Sequence, residues 1–518
     1  MKEKSKQFHQ SFKSISRVLA VGAASLALTL PSAYGQIGGS GGSSSEGSSS
    51  ESSSSQSSSR SSGGMSGGAS QSAPSSPQNP YMGSVPEGKA TSEVLPISFK
   101  DAIARGLRNN LGILLTSDTT LQARGQKWQE LSALLPNVSG AVSENVARIN
   151  LAAEGFRFTG PAFAGIPKLV GPFGFFDARL NFSQTLFDWN AWNRERGASQ
   201  NEKAVAYTYK NARELVVLAV GYTYLQAIAA EARVDTAQAE VNTAEALFNK
   251  AHDQQTAGVS PAIDSLRAQV EFQARRQQLI VAKNDFAKQK LTVARVIGLP
   301  IGQEFTLVEK EPYQPLTPMP LDAALQRAYS YRSDFLAAQQ QVRSAQFFRR
   351  AATAEHLPTL AVGGSYGDTS VTPGDVENTY QIAATLKVPI FQGNRSHADA
   401  LQAEATLRQD QQNLENLRGQ IDYEVRTALL DLEASSEQVE VAQSSVDLAN
   451  QALTQARDRF TAGVTDNLEV VQAQESLASA NESYIASLYA HNVAKVELAR
   501  AIGYAEEGVK QYLMTHQP

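Results

Sequence analysis

The sequence predicts an α+β membrane protein made of two tandem repeats, each with a pair of β-strands and a long helical hairpin. Three observations predict it. One phrase occurs twice, as Thr256-Ala257-Gly258-Val259 and as Thr461-Ala462-Gly463-Val464, each between long apolar-periodic stretches. The apolar period switches from helical to two and back again once in each half. The helical stretches are far longer than an ordinary globular helix. Gly258 and Gly463 lie 205 residues apart (463 − 258), and at the same offset Arg295-Val296-Ile297-Gly298 answers Arg500-Ala501-Ile502-Gly503. A fixed offset of this size marks a duplicated structural unit.

Composition narrows the function classes before any element is placed. Of 518 residues, 19% are charged and the net charge is −5, so there is no basic footprint for nucleic acid. The chain has no cysteine. That removes disulfides, thiolate metal sites, a cysteine nucleophile and a lipid on an N-terminal Cys. The six histidines are scattered, with no H-E-x-x-H pair and no phosphate-binding glycine loop anywhere. No constellation for an enzyme, a metal or a cofactor is present.

Residues 1–35 read as a signal peptide. Lys2, Lys4, Lys6, Lys13 and Arg17 form the basic end, Val18 to Leu30 the apolar core, and Ala33-Tyr34-Gly35 the small-residue cleavage site. The apolar run is short for a membrane anchor. Residues 36–90 are Ser/Gly-rich and nearly without aliphatics, which predicts a disordered leader. The first repeat is placed at 95–300, a Pro-rich connector at 301–320, the second repeat at 321–505 and a tail at 506–518.

Each repeat opens with helical sequence. In the first, Ser98 and Asp101 mark a helix start, and Pro136 ends the helical stretch. In the second, Leu321-Asp322-Ala323 begins it and Pro358 ends it. Period-two stretches follow. Phe176, Ala178, Leu180 and Phe182 alternate with Asp177, Arg179, Asn181 and Ser183. Leu360, Val362 and Tyr366, and then Tyr380, Ile382, Ala384, Leu386 and Val388, alternate with smaller or polar residues. Residues 137 to about 150 are a weaker candidate. Four strands of about ten residues are expected, with a long apolar loop near 151–175 and a short polar one near 368–377.

The hairpins end in Gln184-Thr185-Leu186-Phe187 and Val388-Pro389-Ile390-Phe391. Helices then run over roughly 190–256 and 395–461, about 100 Å each at the α-helical rise. The chain turns at Gly258 or Gly463 and a helix of nearly 40 residues returns. In the first repeat Ser260 is expected to cap that helix, with Pro261 at its first position. Val425, Ala428, Leu432, Ser435, Val439, Ala442, Val446, Ala449, Leu453, Ala456 and Phe460 follow spacings of three and four without a break. Such a seam belongs to a coiled coil. His491 lies on the returning seam and reads as a packed core histidine.

Ten-residue strands with alternating faces suit a membrane β-barrel, the remaining way to cross a bilayer when no apolar run is long enough for a helix. Four strands cannot close a barrel, so closure takes eight from a dimer or twelve from a trimer. The rival is a soluble periplasmic coiled-coil structural or adaptor protein whose strands are edge hairpins.

From Leu95 to Gly503 the chain resembles the TolC family of outer-membrane efflux proteins. The resemblance rests on Val388-Pro389-Ile390-Phe391-Gln392-Gly393, on Arg459-Phe460-Thr461-Ala462-Gly463-Val464 followed by Leu468-Glu469-Val470, and on the duplicated order of elements. It implies a homotrimer, with a 12-stranded barrel in the outer-membrane lipid continuous with a helical barrel across the periplasm. It implies a periplasmic adaptor (membrane fusion) protein and an inner-membrane pump or ABC exporter as partners, and a passive conduit gated at its periplasmic tip. The adaptor would dock at the turns, on Ala257, Gly258, Val259, Ala462, Gly463 and Val464. Aligning the second long helix by its tip nominates Arg426, Asp431 and Glu433 as the gate, with acidic copies forming a cation-attracting ring. Lys387 lies on a polar strand face and is assigned no role. The Ser-rich leader and the length of the first loop depart from the family pattern. That loop can be surface-exposed, plug the mouth or extend the strands.

Overall fold

The structure, a computed structural model, describes residues 79–151, 153, 155, 167–310, 314–316, 319–371, 377–465 and 467–508. The signal peptide, most of the leader, most of the first loop, the Pro373-Gly374-Asp375 turn and the last ten residues lie outside the described residues.

The chain opens into a three-residue strand, β1 (Leu95–Ile97), which pairs in parallel with β4 (Phe305–Leu307) from the connector. Helix α1 (Phe99–Asn109) starts as expected at Ser98, whose Oγ accepts the Asp101 N–H at 3.1 Å. A second cap comes from far away in sequence. Both carboxylate oxygens of Glu309 accept the Phe99 N–H, at 3.0 and 3.1 Å, placing negative charge at the helix N-terminus. Asn110 then breaks the helical stretch. It leaves the helical region and caps α2 (Leu111–Ser132), its Oδ1 accepting the Gly112 N–H at 2.9 Å. The second repeat makes the same joint at Arg332, between α5 (Leu321–Tyr331) and α6 (Ser333–Thr353).

The four long strands are β2 (Asn137–Asn150), β3 (Leu169–Phe187), β5 (Thr359–Ser370) and β6 (Glu377–Lys387). They form one antiparallel sheet in the order β2-β3-β5-β6, so the two hairpins are zipped together through β3 and β5. The first pair is longer than the ten residues expected, at 14 and 19. Part of the apolar first loop therefore extends the strands, because Val170, Phe173 and Phe175 find partners across the ladder.

Helix α3 spans Trp189–Thr256 (68 residues) and α7 spans Arg395–Thr461 (67 residues). The returning helices are α4 (Ala262–Ile297) and α8 (Asn467–Ala501). One cap differs from expectation. Pro261, with ψ 149°, is the non-helical residue that precedes α4, and no side chain caps it. The Ser260 hydroxyl instead donates to Asp264 Oδ2 at 2.9 Å. Of the α7 seam, nine of its eleven residues are buried, Val446 and Ala449 being the half-buried exceptions. His491 is fully buried, 3.3 Å from Ser435 Oγ and 3.4 Å from the Gln314 carbonyl, and burial pushes its imidazole below its ordinary range.

Two large cores sit where short and long helices meet. The first gathers Phe99 and Ile103 of α1, Val216 and Val220 of α3, and Val293 and Ile297 of α4. The second gathers Ala324 and Ala328 of α5, Ile421 and Val425 of α7, and Leu498 of α8 with Ile502 just beyond its end. Four of these pairs are 205 apart, such as Val216 with Ile421. The middle of α3 is apolar enough in length and composition to pass for a membrane span, contrary to the expectation that no such run exists (mean hydropathy 1.5). It is a core helix: 72% of that stretch is buried, packed by α1, α2, α4, α6 and α8.

Candidate functional site: a two-faced sheet above a helical tube

Strand register decides which side chains share a face, since directly opposed residues point the same way. Val138 opposes Phe182, which opposes Gly364, which opposes Ile382. Two residues along, Gly140, Leu180, Tyr366 and Tyr380 make the next row. These two rows are apolar across all four strands and bare: Tyr380 is 76% exposed and Ile382 is 79% exposed. The opposite face carries Ser139, Asn181, Ser365 and Gln381 in one row, with Lys387 beside Thr359 at the base. Its Asp177 and Arg179 pair at 2.6 Å. An apolar side facing outward and a polar side facing inward is the pattern of a membrane barrel.

The sheet is open. Among the described residues β2 pairs only with β3, and β6 only with β5. Two bare edges, 14 and 11 residues long, carry unpaired backbone groups that a bilayer would not tolerate. The helices below repeat the message. Helix α3 is central, packed on α2, α4, α6 and α8, while α7 packs on α5, α6 and α8. The outer flanks keep apolar stripes: Leu121 and Trp128 on α2, Leu266 and Val270 on α4, Leu430 and Val441 on α7, all exposed.

At the far end of the tube the two turns have one construction. Gly258 and Gly463 take φ of 73° and 71°, where only glycine is unstrained, and the N–H groups of Val259 and Val464 reach back to Gln254 and Arg459 carbonyls at 2.9 and 3.0 Å. Within one chain the turns are brought close. Leu247 of α3 packs on Leu453, Ala456, Phe460 and Val470, and Lys250 Nζ donates to Thr461 Oγ1 at 2.7 Å. Ala257, Gly258, Val259, Ala462, Gly463 and Val464 are all exposed, the valines by 76% and 70%.

Arg426, Asp431 and Glu433 stand elsewhere. They precede the end of α7 by 35, 30 and 28 residues (461 − 426, 461 − 431, 461 − 433). At the helical rise that is roughly 42–53 Å above the turn. All three are exposed, and Arg426 bonds Asp422 one turn earlier on its own helix at 2.8 Å. The structure thus separates these three from the six turn residues.

The site that sequence reasoning missed lies at the α5–α6 joint. Arg332 is 1% exposed and forks onto Asp334, Nε to Oδ1 at 3.0 Å and Nη2 to Oδ2 at 2.6 Å. Its Nη1 donates to Glu424 of α7 at 2.5 Å. Arg500 of α8 donates to Asn211 of α3 at 2.8 Å and to Asp334 at 3.2 Å. Ser333 donates to Glu214 of α3 at 2.9 Å. Burial alone would raise the Asp334 carboxyl, but the Arg332 bond and the Arg500 charge outweigh it and hold it at about 2. Glu214 goes the other way, raised by burial that its partners do not offset. The only sequence signal was the unexpected arginine where the first repeat has Asn110.

This architecture is that of known outer-membrane channels. The solved structure of the outer membrane protein VceC from Vibrio cholerae superposes with a TM-score of 0.67 at 18% identity, covering 78% of this chain and 96% of that one. In sequence the chain is 23% identical to the outer membrane protein TolC of Vibrio cholerae over 337 residues, 64% of this chain and 77% of that protein. It is 23% identical to the alkaline protease secretion protein AprF of Pseudomonas aeruginosa over 425 residues, 79% of this chain and 86% of that protein. A sequence model of outer membrane efflux proteins matches residues 122–299 and 324–504, one segment per repeat. The chain belongs to the outer membrane efflux protein family.

Proposed function

We propose that three copies of this chain form the outer-membrane exit channel of a tripartite efflux or type I secretion system. The observation that carries this is the open sheet. Joining β2 of one copy to β6 of the next pairs every edge, and three copies give twelve strands, wide enough for an open lumen. The apolar face then meets lipid and the Ser139–Asn181–Ser365–Gln381 face lines the water. The same operation covers the bare stripes of α2 and α4 with α7 of the neighbour. A soluble coiled-coil protein would leave both edges and the apolar face in water, a configuration soluble sheets avoid.

The chain supplies a conduit and no chemistry, so the energy comes from an inner-membrane pump or ABC exporter. A periplasmic adaptor docks on the exposed turns, where Ala257, Val259, Ala462 and Val464 offer small apolar contacts around Gly258 and Gly463. Arg426, Asp431 and Glu433 act at mid-height as a polar ring that narrows the tube. Purified in detergent, the protein should run as a trimer by light scattering and give cation-preferring conductance in a planar bilayer. A monomer without conductance would sink the channel reading. Asp431→Lys with Glu433→Lys should weaken the cation preference; an unchanged preference would remove these residues from the ring.

A further inference from the structure

The cluster at the α5–α6 joint ties together both halves of the molecule. Asn211 and Glu214 come from the long helix of the first repeat, and Arg332, Asp334, Glu424 and Arg500 from the second. Most of its contacts are tight, between 2.5 and 3.2 Å. One is not. Arg500 Nη1 and Glu214 Oε2 face each other at 3.5 Å, both atoms are buried, and neither makes a hydrogen bond. A buried carboxyl and a buried guanidinium that stop short of a bond mark a contact that a small slide of α8 along α3 would close. Everything around them is already engaged. Arg332 and Asp334 hold the joint, Ser333 holds the other Glu214 oxygen at 2.9 Å, and Gly503 lets the end of α8 press on the Arg332 backbone, where a Cβ would lie 2.6 Å from the Arg332 nitrogen.

We propose that the Glu214–Arg500 contact is a proton-controlled latch between the two repeats, slack when Glu214 is neutral and drawn closed when it is ionised. The Arg332–Asp334 fork is its fixed side. The charged and polar groups that face Glu214 are Arg500 from α8 and Arg332, Ser333 and Asp334 from the joint. In the slack arrangement burial raises the Glu214 carboxyl, whereas a closed bond to Arg500 would lower it. Linkage then gives the sign: acid favours the slack arrangement and neutral pH the closed one. Because α3 and α8 each lead to a turn, the slide changes how the two turns stand to one another. This rests on the channel reading only for its consequence, not for the latch itself.

Two readouts separate the latch from the channel. With no native cysteine, Val259→Cys and Val464→Cys place one spin label on each turn, and unlabelled chain in excess leaves one labelled copy per trimer. Double electron–electron resonance should show the label distance shifting between pH 7.5 and pH 5.5. In Glu214→Gln the distance should stay at its pH 5.5 value at both pH values. Conductance should follow, with Glu214→Gln at pH 7.5 matching the unmodified protein at pH 5.5. Ser333→Ala removes a bond to the ionised carboxylate, so its midpoint should move to higher pH. A Glu214→Gln protein that keeps the pH response, or an unmodified protein with no pH-dependent distance, overturns the latch. A pH-dependent distance in a protein that never conducts would overturn the channel and leave the latch standing.

Discussion

The two short-helix joints occupy equivalent places in the two repeats and are held by different physics. At Asn110 the joint is neutral. Its amide caps α2 and donates to the Tyr81 carbonyl at 2.7 Å, so its partners are local or belong to the N-terminal arm. At Arg332 the joint is ionic, and its bonds run to α7, α8 and, through Ser333 and Arg500, to α3. In both, a returning helix ends in a glycine tucked under the joint. A Cβ on Gly298 would lie 2.8 Å from Asn109 Cβ, and one on Gly503 2.6 Å from the Arg332 nitrogen. Duplication therefore preserved the backbone arrangement while the polar groups diverged. One joint fastens its own repeat, and the other fastens the two repeats together.

That contrast can be tested by breaking each joint in turn. Arg332→Ala takes the fork from Asp334, which keeps Arg500, and the guanidinium from the part-exposed Glu424, and should cost about 3 kcal/mol, the low end of the range for one partner lost from a buried pair. Arg332→Met should cost less, because the stem packing survives. Both are read from denaturant unfolding of the detergent-solubilised protein, and equal losses would show that charge, not stem packing, holds the joint.

Gly503→Ala forces both a φ of 71° and a backbone clash, and should cost about 3 kcal/mol by thermal unfolding. Gly258→Ala has the same strain with open space around it, and should cost only about 1 kcal/mol. If the two cost the same, the close approach at the joint contributes nothing.

Acid should weaken the second joint. Asp334 is depressed in the folded state, so its stabilisation is complete above the ordinary aspartate range and is lost as pH falls toward about 2. Its loss in Asp334→Asn should be on the order of 2 kcal/mol at neutral pH, with a flatter stability profile between pH 4 and pH 2 as the check. A smaller effect is expected at the neutral joint, where Asn110→Ala removes a cap worth about 1 kcal/mol. Val464→Asp should leave stability untouched and abolish export, and unchanged export would remove Val464 from the docking surface.

Much of this was legible in the chain because it is written in local periods. The long helices, their seams and the Gly258 and Gly463 turns follow from residues a few positions apart, and helices α3 and α7 begin and end within a residue or two of where the pattern placed them. The alternating strand faces followed in the same way. The extension of β3 into the apolar first loop did not, since Gly and Pro interrupt the period there and only the partner strand reveals the pairing.

What the sequence determined by itself is the repeat, the element order and the two faces of each strand, because dihedral preference and apolar period act over one or two turns of chain. Only the tertiary structure decided what spans hundreds of residues. It zipped β3 to β5, set the Glu309 carboxylate on the α1 N-terminus 210 residues away, placed Arg426 far above the turn, and gathered four charges from four helices around Arg332. A buried charge depends on which partners arrive in three dimensions, and no local pattern encodes their arrival.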